Sequence, residues 1–342
     1  MNRDFMKGAI SATCVCLLLY GLFPGAAPRG GDEQDGRRIS ISRLGGWRLP
    51  RAPKQTRVRF ADLSSDRKHI EVNLGADQTV EPSHTSLAAY KGLGSWIDVF
   101  NSWVWAHPWR TVEQMHKRGV ETIYLQTATH GSDGAVVYPE ATKAFLLAAH
   151  RRNIRVVGWY VPSFTQPLRD FRRARAGLRF HTKSGHRFDS FALDIEAPNV
   201  DNIFKRNARL LDISRKLRSA AGDDYALGAV IPDSHSLYWP DFPYKRIAGI
   251  YDVMVPMGYF TFRAEGFKHV ERYTEHNIRT IRKETEDKET PIHVIGGIAD
   301  EVGVPAARGF VNAVRKEAIL GASLYDYPIT TDKTWKELSD RL

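Results

Sequence analysis

Phe188-Asp189-Ser190-Phe191-Ala192-Leu193-Asp194-Ile195-Glu196 alternates along its length. Side chains of an extended strand point to opposite faces in turn. Phe191, Leu193 and Ile195 therefore share one apolar face, and Ser190, Ala192, Asp194 and Glu196 share the other. A strand that packs one side on aliphatic helices and turns small and acidic groups to the other fits the wall of a closed parallel barrel.

The stretches around it repeat the pattern. Short β-branched and aromatic runs at 96–101, 122–127, 155–161, 226–231, 251–259, 292–297 and 322–327 join 188–196 as strands. Helical segments at 111–117, 140–152, 168–176, 201–220, 268–284, 305–318 and 334–341 alternate with them. The 232–247 stretch, rich in proline and aromatics, is expected to replace or shorten one helix with a loop. Eight such units in about 250 residues match an α/β fold of the (β/α)8 TIM-barrel type over residues 93–342. A doubly wound sheet would carry a glycine-rich phosphate turn after its first strand, and none is present. In a barrel, function collects at the carboxyl ends of the strands.

Ahead of the barrel the composition changes. Arg3 and Lys7 precede an apolar run from residue 8 to 23, then Pro-Gly-Ala-Ala. Residues 1–27 read as a signal peptide or, because Pro28 would hinder cleavage, as an N-terminal membrane anchor. Residues 28–92, polar and rich in glycine, proline and charge, read as a flexible linker. The expected location is extracellular, either secreted or anchored to the outer face of the cytoplasmic membrane. Both cysteines, Cys14 and Cys16, lie in the apolar run, which excludes disulfides and thiolate chemistry from the barrel.

The formal charge is +10. The basic residues are scattered and no nucleic-acid signature appears, so no nucleic-acid partner is expected. Lys205, Arg206, Arg209, Arg215, Lys216 and Arg218 read as a solvated helix face, with attraction to an acidic polymer or an anionic membrane as the alternative. The histidines show no metal-ligand spacing and Gly-x-Ser-x-Gly is missing, so neither metal nor cofactor nor esterase elbow is expected.

Chemistry concentrates on the fourth strand. Asp194 and Glu196, two residues apart on one inward face, repel each other, and one is pushed toward holding its proton near neutral pH. Glycoside cleavage uses such a carboxyl pair: a proton for the leaving oxygen and a negative group beside an oxocarbenium-like centre. A structural cap, or a salt bridge to Lys or Arg, is the bland alternative.

The segment from Asp189 to Glu196 also resembles the Asp-Gly-x-Asp-x-Asp-x-Glu motif of family 18 glycoside hydrolases, the chitinase-type barrels, matching at Asp189, Asp194 and Glu196. The resemblance implies that Glu196 is the general acid, that Asp194 orients an acetamido group, and that the substrate supplies the nucleophile. Met257-Gly258-Tyr259 is similar to the same family's Met-x-Tyr-Asp, which would make Tyr259 a hydrogen-bond donor to the intermediate. Ala192 replaces the family's middle Asp, Phe260 stands where an Asp follows the Tyr, Tyr325 replaces the usual Trp, and no Ser-x-Gly-Gly is clear. The likeness is therefore to a remote relative. The fourth, sixth and eighth strand segments also resemble those of a group of uncharacterised exported glycosidase-like barrels.

Other strand ends supply candidates for substrate binding. Asp98, with Asn101 and Trp103 following, resembles the opening of lysozyme-type barrels, where an Asp lies deep in the site. Gln126, Tyr160, Asp189, Met257, Tyr325 and Asp326 complete the expected set, and His130 sits in a loop that is either a lid or a simple turn. Trp105, Trp109 and Trp159 are further candidate faces for sugar rings, although core packing is the commoner use of Trp. The expected function is an exported glycoside hydrolase acting on an extracellular or cell-wall polysaccharide, N-acetylated sugars being one option. A carbohydrate-binding barrel without hydrolysis is the second reading, and a metal-dependent hydrolase the third.

Overall fold

Eight short strands with few polar residues must bury one face against helices and the other against each other. A computed structural model, which describes residues 87–235 and 239–342, has that arrangement. The order is β1 (Gly92–Ile97), α1 (Ser102–Ala106), α2 (Pro108–Lys117), β2 (Thr122–Thr129), α3 (Pro139–His150), β3 (Arg155–Val161), α4 (Pro167–Leu178), β4 (Ser190–Asp194) and α5 (Ile203–Ala221). It continues with β5 (Leu227–Pro232), α6 (Tyr244–Ala248), β6 (Val253–Met257), α7 (Gly266–Glu284), β7 (His293–Ile298), α8 (Val304–Lys316), β8 (Gly321–Tyr325) and α9 (Asp332–Ser339). Each strand pairs in parallel with the next, and β8 pairs with β1, Gly92 opposite Gly321, so the barrel is closed.

The expected signal or anchor at 1–27 and residues 28–86 of the expected linker lie outside the described residues. The remainder, 87–92, is part of the barrel: Leu87–Tyr90 forms a 3-10 turn and Gly92 opens β1. The first strand thus lies four residues before the expected 96–101. Asn101 cannot extend it, because its side chain accepts from the Val104 amide at 3.1 Å and caps α1. The aromatic 232–247 stretch ends in the five-residue α6, the shortened helix anticipated there.

Period-two alternation separates two packed layers. Phe191, Leu193 and Ile195 meet the helices in the outer layer. Trp96, Tyr124, Trp159, Ala192, Val230, Val255 and Ile295 fill the interior. A chain of hydrogen bonds closes the amino end beneath them. Tyr90 Oη donates to Ser190 Oγ at 2.6 Å, and that hydroxyl donates to the Ala226 carbonyl at 2.7 Å. Gly228 makes room, since a Cβ there would lie 2.4 Å from Tyr90 Oη. His293 Nδ1 donates to the Tyr90 carbonyl at 2.9 Å, which leaves Nε2 to accept from Ser323 Oγ at 3.0 Å. The amino end is closed by this packed floor, so open chemistry is displaced to the opposite end.

Candidate active site

The carboxyl end of β4 carries the central pair. The Ile195 amide still donates to the Val230 carbonyl at 2.8 Å, so the extended backbone runs on past Asp194. With Ile195 in the outer layer, Asp194 and Glu196 both face inward. Both are almost wholly buried, at 3% and 4% exposure. Asp194 Oδ1 has no hydrogen-bond partner, and burial pushes its carboxyl up to about 8. Asp194 therefore holds a proton at neutral pH.

Neighbouring strands extend this acidic group. Asp98, one residue past β1, accepts from Tyr325 Oη at 3.1 Å and from the Phe100 amide at 2.9 Å. Burial raises its carboxyl. Asp326, just past β8, is raised well above the usual range by burial, and the Asp98 charge beside it adds to the effect. Tyr259 lies inside the same end, its ring 6.3 Å from Tyr325, with Met257 buried below it. Gln126 Oε1 accepts from the Val99 amide at 2.9 Å, and its Nε2 has no partner. Trp159 Nε1, also inward-facing, is likewise buried and unpaired. Orphaned donors and acceptors in a native interior call for water or ligand, because each costs about 1–3 kcal/mol while unsatisfied.

Two expected binding residues are elsewhere. Tyr160 points into the helical layer, where its Oη donates to Asp170 Oδ1 at 2.8 Å; Trp159 is the inward residue of that pair. β3 is apolar on both faces, so its sequence gave no contrast to decide between them. Asp189 precedes β4 and lies at the amino end. There its Oδ2 accepts from the Val156 amide at 2.7 Å and contacts His150 Nε2 at 3.0 Å. It joins β3 to α3, far from Glu196. The loop at His130 is tied down: buried Arg173 donates to the carbonyls of Thr129 at 2.7 Å and His130 at 3.1 Å.

Of the tryptophans singled out, Trp103 is the exposed one, stacked on His107 with Arg110 over its ring. Trp105 is buried and donates to the Asp98 carbonyl at 2.6 Å. Trp109 is partly buried beneath Arg151. The sequence reading missed a ring of apolar side chains. The exposed large hydrophobics among the described residues are Trp103, Leu168, Phe204, Phe262 and Phe267, and all follow the carboxyl ends of strands. Their signal in the sequence is position: Leu168, Phe204 and Phe267 are each the second residue of a helix that follows a strand.

Asp194 also makes the protein's stability depend on pH. An acid whose folded pKa exceeds its unfolded value favours folding when protonated. The contribution is complete below about pH 4 and is lost as pH rises through about 8. Asp194→Asn is neutral throughout. It is expected to melt several degrees above the parent at pH 9 and close to it at pH 4.5. Thermal melts at the two pH values test this, and an offset independent of pH would count against a buried, proton-holding Asp194.

No family model and no curated protein matches the sequence. The fold does have solved counterparts. A chitinase from Bacteroides thetaiotaomicron superposes with a TM-score of 0.54 at 14% identity, over 73% of this chain and 94% of that one. A family 18 N-acetylglucosaminidase from Paenibacillus barengoltzii gives 0.53 at 12%, over 74% and 100%. An endo-1,4-β-mannanase from Rhizomucor miehei gives 0.56 at 8%, over 77% and 97%. At such identities the likeness establishes architecture: the chain folds as a (β/α)8 barrel of the kind found in glycoside hydrolases.

Proposed function

We propose that the protein is a glycoside hydrolase acting on an extracellular or cell-wall polysaccharide, with Glu196 as general acid and Asp194 and Tyr259 in support. The observation that carries this reading is the inward Asp194–Glu196 pair at the strands' carboxyl end, with one Asp194 oxygen unsatisfied and its proton retained at neutral pH. Glu196 delivers a proton to the glycosidic oxygen as the bond to the anomeric carbon breaks. Asp194, holding its proton, orients an acetamido group of the substrate beside the positive charge that develops there, and Tyr259 Oη donates to the intermediate. Water then adds at the anomeric carbon and returns a proton to Glu196, so the product is a new reducing end.

The rim supports a polymeric substrate. Trp103, Phe204, Phe262 and Phe267 offer exposed faces on which sugar rings stack, on segments that follow the carboxyl ends of three strands. Chitin-type polymers with N-acetylated sugars are the first candidates, because Asp194 is suited to an acetamido group and several solved counterparts are chitinases. Export through residues 1–27, ending in either a secreted protein or one anchored to the outer face of the cytoplasmic membrane, belongs to the same proposal and rests on sequence alone.

Incubation with chitin, mannan and peptidoglycan, followed by reducing-end and mass analysis, tests the activity. New reducing ends from any of them support it. Tight glycan binding without product would instead favour the non-catalytic barrel that the Ala192 departure permits. Trp103→Ala is expected to raise KM for polymer roughly tenfold, the value of one exposed stacking face at about 1–2 kcal/mol, with little change in melting temperature. An unchanged KM would remove Trp103 from the binding surface.

A further inference from the structure

On the outer helical ring several basic groups meet acids across helix boundaries. Between α7 and α8, Arg279 contacts Glu317 at 2.6 Å, and Lys316 contacts both Glu271 and Glu275. Arg308 of α8 meets Glu337 of α9 at 2.8 Å, and Arg152 reaches Glu113 across α2 and α3. The α4–α5 boundary differs. The two helices carry ten basic side chains against two acids, Asp170 and Asp212. Asp170 is turned inward to Tyr160, and Asp212 is held by Lys216 at 2.6 Å.

Several of the basic groups have structural work. Arg173 holds the 129–132 loop, Arg209 donates to the Phe164 carbonyl, and Arg218 binds the carbonyls of Ile250 and Tyr225. Arg206 donates to the Val200 carbonyl under Trp239. That leaves Arg169, Arg172, Arg175, Lys205 and Arg215 exposed without an ion pair among the described residues, and of these Arg175 and Arg215 face the same groove as Arg179, just past the end of α4. Together with Lys216 these three arginines line a groove of about 480 Å3 between the helices, with Phe171 in its wall. Like charges held together without counter-charge destabilise the fold through self-repulsion. Such an arrangement persists at less cost when an anion occupies it.

We infer that the α4–α5 groove binds a linear phosphate-bearing polymer alongside the barrel. Arginine comes from both walls, Arg175 and Arg179 on one side and Arg215 on the other. A tetrahedral phosphate presents oxygens to both, whereas a planar carboxylate satisfies one guanidinium fork. The site occupies the later halves of two helices that run antiparallel to the strands, so it lies toward the barrel's amino end and leaves the mouth free. A lipid surface fits less well: contact with a bilayer calls for apolar side chains to insert, and the exposed large ones among the described residues follow the carboxyl ends of the strands, away from the groove. A nucleic acid also fits less well, because the aromatic side chain in the groove wall, Phe171, is half-buried and gives bases little face to stack on.

The test is fluorescence anisotropy with labelled inorganic polyphosphate over a range of salt. It uses the parent protein, the triple variant Arg175→Glu, Arg179→Glu, Arg215→Glu, and a control of equal charge change, Lys283→Glu, Lys288→Glu, Lys333→Glu. All six positions are exposed, and melting curves check that each protein is folded. The groove variant is expected to bind at least about tenfold more weakly with a shallower salt dependence, because fewer counterions are released, while the control stays within about threefold of the parent. An equal loss in the control would assign binding to net charge and overturn the proposal. Parent protein that prefers phosphatidylglycerol vesicles, polygalacturonate or a single-stranded oligonucleotide to polyphosphate, and loses that preference in the groove variant, would overturn the phosphate-polymer assignment.

Discussion

Glu196→Gln is expected to lower kcat on a polysaccharide by roughly 10³-fold while the melting temperature stays within about 2 °C of the parent, since a positioned general acid is worth about 10²–10⁴. Gln keeps the shape of the side chain and cannot supply the proton. The stability cost is small because Glu196 lies past the last hydrogen-bonded residues of β4, above an interior packed by Trp96, Tyr124 and Trp159. A general acid also leaves a chemical signature that a structural residue does not. An aryl glycoside whose leaving group departs without protonation should recover much of the lost rate in the variant, and a sugar leaving group should not. Full activity in Glu196→Gln on a substrate cleaved by the parent would sink the assignment. Equal losses on both leaving groups would move Glu196 from proton donor to positioning residue.

How much of this was legible in the sequence follows from where period-two contrast exists. β4 alternates sharply, so its inward acids and outward aliphatics were readable, and the closed eight-strand barrel followed from spacing. β3, Arg155–Val161, has no polar face, and Tyr160 was chosen where Trp159 is the inward residue. β1 was placed late because Asp98, Asn101 and Trp103 continue an extended-looking run; the competing cap of Asn101 on α1 depends on a hydrogen bond invisible in the pattern. Asp189 fitted a motif spacing, yet β4 starts at Ser190, so the same spacing puts Asp189 at the opposite end from Glu196. The apolar rim escaped notice because Phe204 and Leu168 look like ordinary helix residues until the barrel fixes which end they occupy. The basic residues 205–218 read as one solvated face, whereas Arg206 and Arg218 bind backbone carbonyls and Arg215 alone of the arginines there is left to the groove.

Trp96→Ala is expected to destabilise the protein by about 4 kcal/mol, toward the upper end for truncating a buried aromatic. Trp96 is 1% exposed and stacks on Tyr124 with ring centroids 4.2 Å apart, while Trp159 meets it edge-on at 5.4 Å. Its Nε1 donates to Ser323 Oγ at 2.8 Å, and Ser323 in turn donates to His293 Nε2. Truncation therefore opens a cavity and weakens the polar chain that runs through His293 to Tyr90. That chain works only while His293 is neutral, and burial lowers its pKa to about 4. A base with a depressed folded pKa contributes full stability above its unfolded value of about 6.5 and loses it as pH falls toward 4. The His293 contribution should accordingly be lost across that window while that of Asp194 is gained, so His293→Gln should gain stability relative to the parent as pH falls. Because Asp98 lies two residues beyond Trp96, just past the end of β1, loss of the indole should also loosen the acid cluster and reduce kcat more than KM. Chemical denaturation at pH 7 measures the first effect. A cost below about 1 kcal/mol would mean that the aromatic interior does not hold the mouth in place, and the coupling argued between floor and site would fail with it.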